Sequence, residues 1–280
     1  KVAESLLNVM KKPIEHEGML IDINAIAGIV MFPDHGDDLD TLTQHASIAL
    51  DNPNSSRQSI YTYSQDLNYY STRRLSLMGD LLRAIDSNEL MLFLQPQINL
   101  ATGQVVGAEA LIRWKHDTHG FVPPDEFIPL SEQSGIIRPL TTWVFEKALQ
   151  FDKNLQALGH DIRMSINISV KNLAEENFFK SKLQKLQQNG ISSERIVFEM
   201  TESIMMEDID MSLAALKELN ELGINLSIDD FGTGHSSLSY LSQLPVHEVK
   251  IDRSFVSNML EHPHNQKIVA MTINLAHTLG

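Results

Sequence analysis

The stretch VVGAEALIRW at residues 105–114 has the apolar, β-branched character of a buried strand. Because neighbouring strand residues face opposite sides, Glu109, Leu111 and Arg113 share one face, opposite the apolar side chains. An acid and a base inside an apolar strand are destabilising unless both have partners. The strand therefore carries either a buried structural salt bridge or part of a functional site, and these residues alone leave both readings open.

Strands and helices alternate around this stretch, and we expect them to form one domain over residues 90–280. The predicted strands are 90–98, 105–114, 161–169, 195–201, 224–230 and 247–252. The predicted helices lie near 136–158, 174–189, 207–222, 236–243 and 264–279. Such alternation is typical of an α/β fold with a parallel sheet and outer helices. Several strands end in carboxylates or amides, which favours a TIM-type barrel with its site at the C-terminal rim.

The residues before this alternation form a smaller region. We expect residues 1–66 to be a small α+β remnant with a strand pair within 19–32, a short helix over 38–50 and a closing strand at 60–63. This region is too small to be an independent enzyme.

Residues 67–89 are expected to form a helical linker. A periodic apolar stripe runs along it through Leu75, Met78, Leu82 and Ile85. We expect this stripe to pack against the following domain. The alternative is a signalling helix that pairs between two chains.

The composition excludes several classes of function. The 280 residues include 22 basic and 36 acidic side chains, for a formal net charge of −14. Such a chain is a poor candidate for broad nucleic-acid or anionic-membrane binding, so we expect no DNA partner. It has no cysteine, which excludes disulfides, thiolate metal sites and cysteine nucleophiles. We expect a cytoplasmic location, and the sequence leaves open whether the full-length protein is tethered to a membrane.

Further polar residues follow apolar segments where the strands are expected to end. Glu199 comes directly after three apolar residues, so an ionised carboxylate there needs a cation or several donors. Asn167 can bind a hard cation through its amide oxygen or cap a turn. Asp229 and Asp230 are adjacent and converge only if the backbone turns there, which the Gly-containing segment 231–234 allows.

Lys250 and Asp252 share one face of the last predicted strand. They form either a buried structural pair or part of a site in which the lysine relays protons or holds a phosphate. The candidate metal ligands in these segments are carboxylates and one amide, which bind through oxygen. Such ligands suit Mg²⁺ or Mn²⁺ rather than zinc or copper. Two such cations favour in-line attack of water on a phosphodiester.

Residues 90–280 resemble the EAL domain, the bacterial phosphodiesterase family that hydrolyses cyclic di-GMP. The blocks that carry this resemblance follow the family order: Phe93-Leu94-Gln95-Pro96, Glu109-Ala110-Leu111 with Arg113, Asn167-Ile168-Ser169, Glu199-Met200-Thr201-Glu202, Asp229-Asp230-Phe231-Gly232-Thr233-Gly234 and Lys250-Ile251-Asp252-Arg253-Ser254-Phe255-Val256. Each block alone is a weak signal, whereas six in order are very specific.

The resemblance implies a modified TIM-type (β/α) barrel whose first strand runs antiparallel to the others. It implies two divalent ions, Mg²⁺ or Mn²⁺, held by Glu109, Asn167, Glu199, Asp229 and Asp230. Three of these acids, Glu109, Glu199 and Asp229, would act in catalysis together with Lys250, which would assist the attacking water. The expected product is linear pGpG.

The resemblance also implies the substrate contacts. Arg113 would contact a substrate phosphate, and Gln95, Leu111 and Asp252 would contact the ligand. Glu202 would anchor the loop at 230–237, which lies near the dimer interface in the family. We therefore expect a homodimer formed through the EAL domain.

Residues 1–66 are similar to the C-terminal part of a GGDEF diguanylate cyclase domain. The signature of that domain is absent, so we expect no cyclase activity, and we expect a sensory domain upstream in the full-length protein. The family continues beyond the position of Gly280 with blocks on its seventh and eighth strands. The chain is therefore expected to hold an EAL domain truncated at about six strands.

Two rival hypotheses accompany the phosphodiesterase. One is a non-catalytic cyclic di-GMP receptor or signalling adaptor, against which the retained acids argue. The other is an unrelated metal-dependent TIM-barrel hydrolase, which would cleave generic phosphodiesters and not cyclic di-GMP.

Overall fold

The computed structural model describes the chain except for residues 11–13, 17–18, 22–24, 51–58, 88, 174, 176–177, 203–208, 234–240, 242 and 280. It divides into two compact units, Lys1–Asp80 and Leu81–Gly280. Across the described ranges, no helix has both the length and the apolar character needed to cross a bilayer.

The described residues of the first unit form short strands and helices. Its elements are α1 (Val2–Met10), β1 (Ile14–His16), β2 (Met19–Ile21), β3 (Ala27–Ile29), α2 (Leu39–Leu50), β4 (Ile60–Thr62) and most of α3 (Gln65–Asp86). The strands β1 and β2 pair antiparallel, and β3 pairs with β4 in parallel. The predicted strand pair within 19–32 is therefore wrong, because its two strands pair with other segments. The helix over 38–50 and the closing strand near 60–63 are confirmed.

The apolar stripe on α3 is not the buried face of that helix. Leu75 is 70% exposed and Leu82 is 51% exposed, whereas Leu77, Leu81 and Ala84 are fully buried. The prediction that this stripe is the packed face of the helix is thus wrong. Periodicity identified the helix, but two apolar faces compete on it, and the face formed by small and branched residues at 77, 81 and 84 is the one that is buried.

The second unit contains the alternating strands and helices. Its elements after α3 are β5 (Leu90–Ile98), β6 (Val105–His116), β7 (Gly120–Val122), α4 (Pro124–Ser134), α5 (Ile137–Ala157), β8 (Arg163–Asn167), α6 (Val170–Leu173), α7 (Phe178–Gln188), β9 (Ile196–Thr201), α8 (Ile209–Glu221), β10 (Asn225–Phe231), β11 (Glu248–Ile251), α9 (Arg253–Ser257) and α10 (Pro263–Leu279). All six predicted strands of this region are present. The predicted helix at 236–243 falls almost entirely outside the described residues.

One sheet organises this unit. Its order is β11-β10-β9-β8-β6-β5, with β7 paired to β6. The first strand, β5, runs antiparallel to β6, and β6, β8, β9, β10 and β11 are parallel to one another. This confirms a mixed, TIM-like α/β architecture with one antiparallel strand. The described strands do not close into a barrel. This agrees with the prediction from the sequence of a barrel truncated at about six strands.

The core lies between the outer face of this sheet and the helices. Ala110, Ile166 and Phe198 point outward into a buried cluster that includes Phe145 on α5 and Phe179 on α7. Because side chains alternate along a strand, the residues between these apolar positions face the inner side of the sheet. The packing of the outer face therefore fixes which side chains line the inner face.

Candidate active site

The inner face of the sheet gathers carboxylates at the C-terminal ends of the parallel strands. Glu109 on β6, Glu199 on β9 and Asp229 on β10 each offer an oxygen atom, and these three atoms lie within 4.8 Å of one another. On β5, Gln95 pairs with Glu109, and on β8, Asn167 pairs with Glu199.

Lys250 on β11 is the cationic centre of this cluster. Its Nζ donates hydrogen bonds to Glu199 Oε2 at 2.6 Å, to Asp229 Oδ2 at 2.8 Å and to Glu109 Oε2 at 3.0 Å. Burial alone would lower the pKa of this lysine, but the hydrogen bonds and charges of the carboxylates outweigh it and raise the pKa. Lys250 is therefore a charged lysine, and its partners are the three carboxylates rather than Asp252.

Glu199 is the most buried member of the cluster. It is fully buried, and burial together with the charge of Glu109 raises its pKa to about 7, against the opposing effect of Lys250. By hydrogen-bond geometry its Oε1 has no partner among the described residues, although the neighbouring Ser165 hydroxyl also acts to lower the pKa of this carboxyl. A buried carboxylate oxygen without a donor is destabilising unless a cation or a proton satisfies it.

Asn167 and Arg113 flank the carboxylates. Asn167 Nδ2 donates to Glu109 Oε1 at 2.8 Å. Arg113 Nη1 donates to the carbonyl of Ile112, and its guanidinium lies 5.9 Å from the ring centroid of Phe93. Arg113 thus faces the same side of the sheet as Glu109 without joining the acid cluster.

A cavity of about 440 Å³ opens beside this cluster. Its lining includes Leu111, Arg113 and Asn167 together with apolar side chains of α4 and α5 such as Ile128 and Leu140. The carboxylate cluster therefore adjoins a mainly apolar space.

The adjacent acids Asp229 and Asp230 do turn relative to each other. A register irregularity separates Ile228 and Phe231 in the pairing of β10 with β11, and Asp230 has a left-handed φ of 55°. This bulge lets Asp229 face the carboxylates while Asp230 turns aside. Burial and the charges of Asp229 and Asp252 raise the pKa of Asp230.

The segment after Asp230 is held by the buried carboxylate of Glu202. Glu202 Oε2 accepts a hydrogen bond from the backbone N–H of Gly232 at 2.8 Å. Gly232 has a left-handed φ of 98°, and a Cβ atom there would meet the ring of Phe255 at 3.1 Å. The Asp230–Gly232 turn is thus fixed on two sides. The remainder of the loop, from residue 234, lies outside the described residues.

Asp252 follows β11 and caps α9. Its Oδ1 accepts hydrogen bonds from the Ser254 hydroxyl and from the Ser254 backbone N–H, the latter at 2.9 Å, and these bonds lower the pKa of Asp252. Asp252 contacts Asp230 at the edge of the cluster rather than Lys250.

The residues present fit a divalent cation. The donors are carboxylate and amide oxygens, which hard cations such as Mg²⁺ and Mn²⁺ prefer. The orphaned Glu199 Oε1 and three mutually close carboxylates give the cluster a need for positive charge that Lys250 meets only in part. An acidic triad suited to a metal ion is therefore a feature of this chain.

A polar network lies behind this site, and the sequence patterns do not predict it. Glu132 at the end of α4 and Asn172 on α6 contact the turn that follows Asn167. The helix α4 was not predicted, although Pro-Pro-Asp at its start is a helix-start signal: Pro124 and Asp125 are its first two residues. Nothing in the local sequence marks Asn172, since its partners lie on other elements.

Comparison with known proteins places this geometry in a family. The profile of the EAL domain matches residues 78–280. The chain is 34% identical over 280 residues to the cyclic di-GMP phosphodiesterase NbdA of Pseudomonas aeruginosa, covering 99% of this chain and 36% of that protein. It is 30% identical over 280 residues to the cyclic di-GMP phosphodiesterase PdeR of Escherichia coli, covering 100% of this chain and 42% of that protein.

Solved structures give the same result. The structure described as the PaMucR phosphodiesterase in complex with c-di-GMP is similar with a TM-score of 0.69 and 36% identity, over 73% of this chain and 83% of that chain. The chain spans less than half the length of the two curated relatives named above.

Proposed function

Because the chain belongs to the EAL-domain family, we propose that it is a metal-dependent phosphodiesterase that hydrolyses cyclic di-GMP to linear pGpG. The observation that carries this proposal is the convergence of Glu109, Glu199 and Asp229 on Lys250 at the ends of parallel strands. The names of the relatives NbdA and PdeR support the substrate.

Two divalent ions, Mg²⁺ or Mn²⁺, would be held by Glu109, Asn167, Glu199, Asp229 and Asp230. When bound, such ions polarise the phosphodiester and promote ionisation of the attacking water. The buried, unpartnered Glu199 Oε1 supports this assignment. So does the raised pKa of Asp230, because a carboxyl that is partly buried and crowded by other acids is ionised most readily beside a cation.

Lys250 would assist the attacking water. Its ammonium group already lies within hydrogen-bond distance of three acids that would surround the reacting atoms. In that position it can orient a water molecule, hold a proton and stabilise negative charge that develops on the phosphate. Glu109, Glu199 and Asp229 would complete the catalytic set.

The substrate would lie across the inner face of the sheet. Arg113 would contact a phosphate, and Leu111, which lines the adjoining cavity, would contact the ligand. Gln95 lies next to Glu109 across β5 and β6, within reach of the same ligand. Asp252 would take part from the edge of the cluster.

Glu202 would anchor the loop at 230–237 through Gly232 and so couple the site to a homodimer interface. We propose a cytoplasmic enzyme, which the cysteine-free composition supports. We also propose that residues 1–66 derive from a GGDEF-like domain, with a sensory domain upstream. The relative MucR of Pseudomonas aeruginosa, named a bifunctional diguanylate cyclase and phosphodiesterase, matches over 100% of this chain and supports the GGDEF-like origin of residues 1–66.

The test is hydrolysis of cyclic di-GMP by the full-length protein, with products separated by anion-exchange chromatography. We expect pGpG with Mg²⁺ or Mn²⁺ and none in excess EDTA. Binding of the nucleotide without product would instead assign a receptor. Cleavage of bis-(p-nitrophenyl) phosphate alone would assign an unrelated hydrolase.

A further inference from the structure

A buried hydrogen-bonded cluster lies behind the turn that follows β8. It consists of Glu132 on α4, Thr141 on α5, Ser169 in the turn and Asn172 on α6, and we call it the Asn172 cluster. Asn172 is fully buried, and Thr141 and Ser169 are only 5% and 6% exposed. Buried polar side chains of this kind are destabilising unless their contacts compensate, so their arrangement needs an explanation.

Asn172 holds the backbone of the turn. Its side-chain Oδ1 accepts a hydrogen bond from the backbone N–H of Ser169 at 3.0 Å. The backbone N–H of Asn172 donates to the Ser169 carbonyl at 2.9 Å. The Thr141 hydroxyl lies 3.1 Å from the same Oδ1 and 2.8 Å from the Ile137 carbonyl, so its single proton serves one of them at a time. The firm partner of Asn172 is therefore the Ser169 backbone.

Glu132 fixes the side chain of Ser169. The Ser169 hydroxyl donates to Glu132 Oε1 at 2.7 Å. Lys171 Nζ donates to the Glu132 carbonyl at 2.5 Å, which ties the end of α4 to this turn a second time. Both the backbone and the side chain of Ser169 are thus fixed by elements outside the strand.

The turn fixed in this way begins with Asn167, which flanks the carboxylates. Asn167 lies two residues before Ser169, and between them the N–H of Ile168 donates to the Glu199 carbonyl at 2.9 Å. Asn167 itself is an exposed side chain, 2.8 Å from Glu109 Oε1. Because a solvent-facing amide has little packing to orient it, its direction depends on the backbone from which it projects.

We propose that Asn172, together with Glu132, is a positioning residue for the metal site. By fixing the turn at Ser169, it sets where Asn167 places its amide oxygen relative to Glu109 and Glu199. The inference rests on the proposed function, because it concerns a divalent cation held by these residues. The role depends on the acceptor oxygen of Asn172, since its Nδ2 has no hydrogen-bond partner among the described residues.

This role makes distinct predictions for two substitutions at the same position. Asn172→Ala removes the acceptor, and we expect the dissociation constant for Mn²⁺ to rise about 10-fold, as for outer hydrogen-bond partners of metal ligands in general. Asn172→Asp keeps an acceptor oxygen, so we expect affinity close to that of the unaltered protein even if burial of its charge lowers stability. Ser169→Ala is a milder variant that keeps the Asn172 contact with the turn and loses the two contacts of the hydroxyl, with Glu132 and with the backbone N–H of Lys171, and we expect a smaller rise.

Ser131→Ala supplies a matched control. Ser131 is a fully buried hydroxyl on α4, next to Glu132, but its Oγ donates within the helix to the Ile128 carbonyl at 2.6 Å. Its removal perturbs the same helix without touching the turn, so we expect unchanged Mn²⁺ affinity.

The experiment is calorimetric titration of the full-length protein with Mn²⁺ in the absence of nucleotide, with urea unfolding of each variant alongside. Glu199→Gln identifies the heat that belongs to the site, since it removes a ligand.

The inference is supported if Asn172→Ala binds Mn²⁺ more weakly, if Asn172→Asp restores the affinity and if Ser131→Ala leaves it unchanged. Equal affinity of Asn172→Ala and Ser131→Ala, or an Asn172→Asp variant as weak as Asn172→Ala, overturns it while the proposed function stands. If no binding is sensitive to Glu199→Gln, both the proposed function and this inference fail. If Asn172→Ala does not fold, Ser169→Ala against Ser131→Ala decides by the same comparison.

Discussion

Lys250 Nζ lies 2.6 Å from Glu199 Oε2, a carboxylate with no exposure to solvent. An isolated buried carboxylate at this position would be strongly destabilising, and so would a lysine without a counter-charge. Each residue therefore makes the ionised form of the other tolerable. The two additional acids leave the cluster short of positive charge, which is the electrostatic basis for the metal ions that we propose.

The first prediction concerns Lys250. In Lys250→Met the acids remain but the ammonium group is lost, so we expect hydrolysis of cyclic di-GMP to fall by about 10²–10⁴-fold, the usual contribution of a positioned proton-transfer group. Mn²⁺ binding should persist because the carboxylates are retained. Lys180→Met removes an exposed lysine that pairs with Glu218 and should leave the rate unchanged. A Lys250→Met variant that matches Lys180→Met in steady-state rate would show that Lys250 has no catalytic role.

The second prediction concerns pH. Because the pKa of Glu199 is raised to about 7 in the folded, metal-free protein, the folded state binds a proton that the unfolded state has lost. The contribution of Glu199 to stability is therefore greatest below the ordinary glutamate pKa and is lost as the pH rises toward 7. Urea unfolding in EDTA at pH 5, 6 and 7 should show this loss, and Glu199→Gln should show a flatter profile over the same interval. Parallel profiles for the two proteins would contradict the assignment.

The same ionisation should couple to the metal. A cation competes with the proton on Glu199, so Mn²⁺ affinity should rise as the pH increases from 5 to 7 and level off above that pH. Calorimetry at each pH measures this directly. Affinity that is independent of pH would mean that Glu199 is ionised throughout.

The third prediction separates the backbone from the side chain at Asp230. Both Asp230→Gly and Asp230→Ala remove the carboxylate, but only glycine adopts the left-handed φ of 55° without strain. We expect Asp230→Ala to be less stable than Asp230→Gly by about 1 kcal/mol in urea unfolding. If alanine is the more stable of the two, the turn at Asp230 is not the constraint that the structure describes.

The fourth prediction separates stability from activity. Asp152 is fully buried and pairs with Arg195 at 2.7 Å, at the start of β9 and away from the acids at its end. Asp152→Ala leaves the guanidinium with the exposed Asp161 as its remaining acid partner, so we expect a loss of about 3 kcal/mol. Asp161→Ala, at a position that is 92% exposed, should cost less than about 1 kcal/mol.

Both Asp152→Ala and Asp161→Ala should retain the catalytic rate per folded molecule, measured below their unfolding temperatures. A lower rate with Asp152→Ala at full folding would indicate coupling between this pair and the site.

The sequence predicted the strands better than the helix faces. Period-two alternation in 105–114 placed Glu109 on the inner face, and the outward Ala110 packs in the core as alternation requires. On α3, by contrast, the stripe through Leu75 and Leu82 is exposed. A helix with two apolar faces does not specify from its own sequence which face is buried, because that choice depends on the rest of the fold.

The candidate site likewise contains one feature that the sequence predicts and one that it does not. The need for a turn at Asp229 and Asp230 could be read from two adjacent acids before a glycine, and the bulge provides it. The Asn172 cluster could not be read, because Glu132 and Ser169 are 37 residues apart and meet only through packing of α4 against the sheet. Local sequence carries the period of an element and its turn chemistry, whereas contacts between distant buried polar groups arise only from the assembled fold.

The most direct test of the account is the rate of pGpG formation from cyclic di-GMP as Mn²⁺ is titrated into the metal-free, full-length protein and its Glu199→Gln variant. We predict product that rises from zero to saturation with Mn²⁺ in the unaltered protein. We predict a loss of at least about 100-fold in the variant, in which a ligand to the metal is removed. Product formation that persists in EDTA, or that is equal in the two proteins, would contradict the claim that this carboxylate cluster carries a metal-dependent hydrolysis.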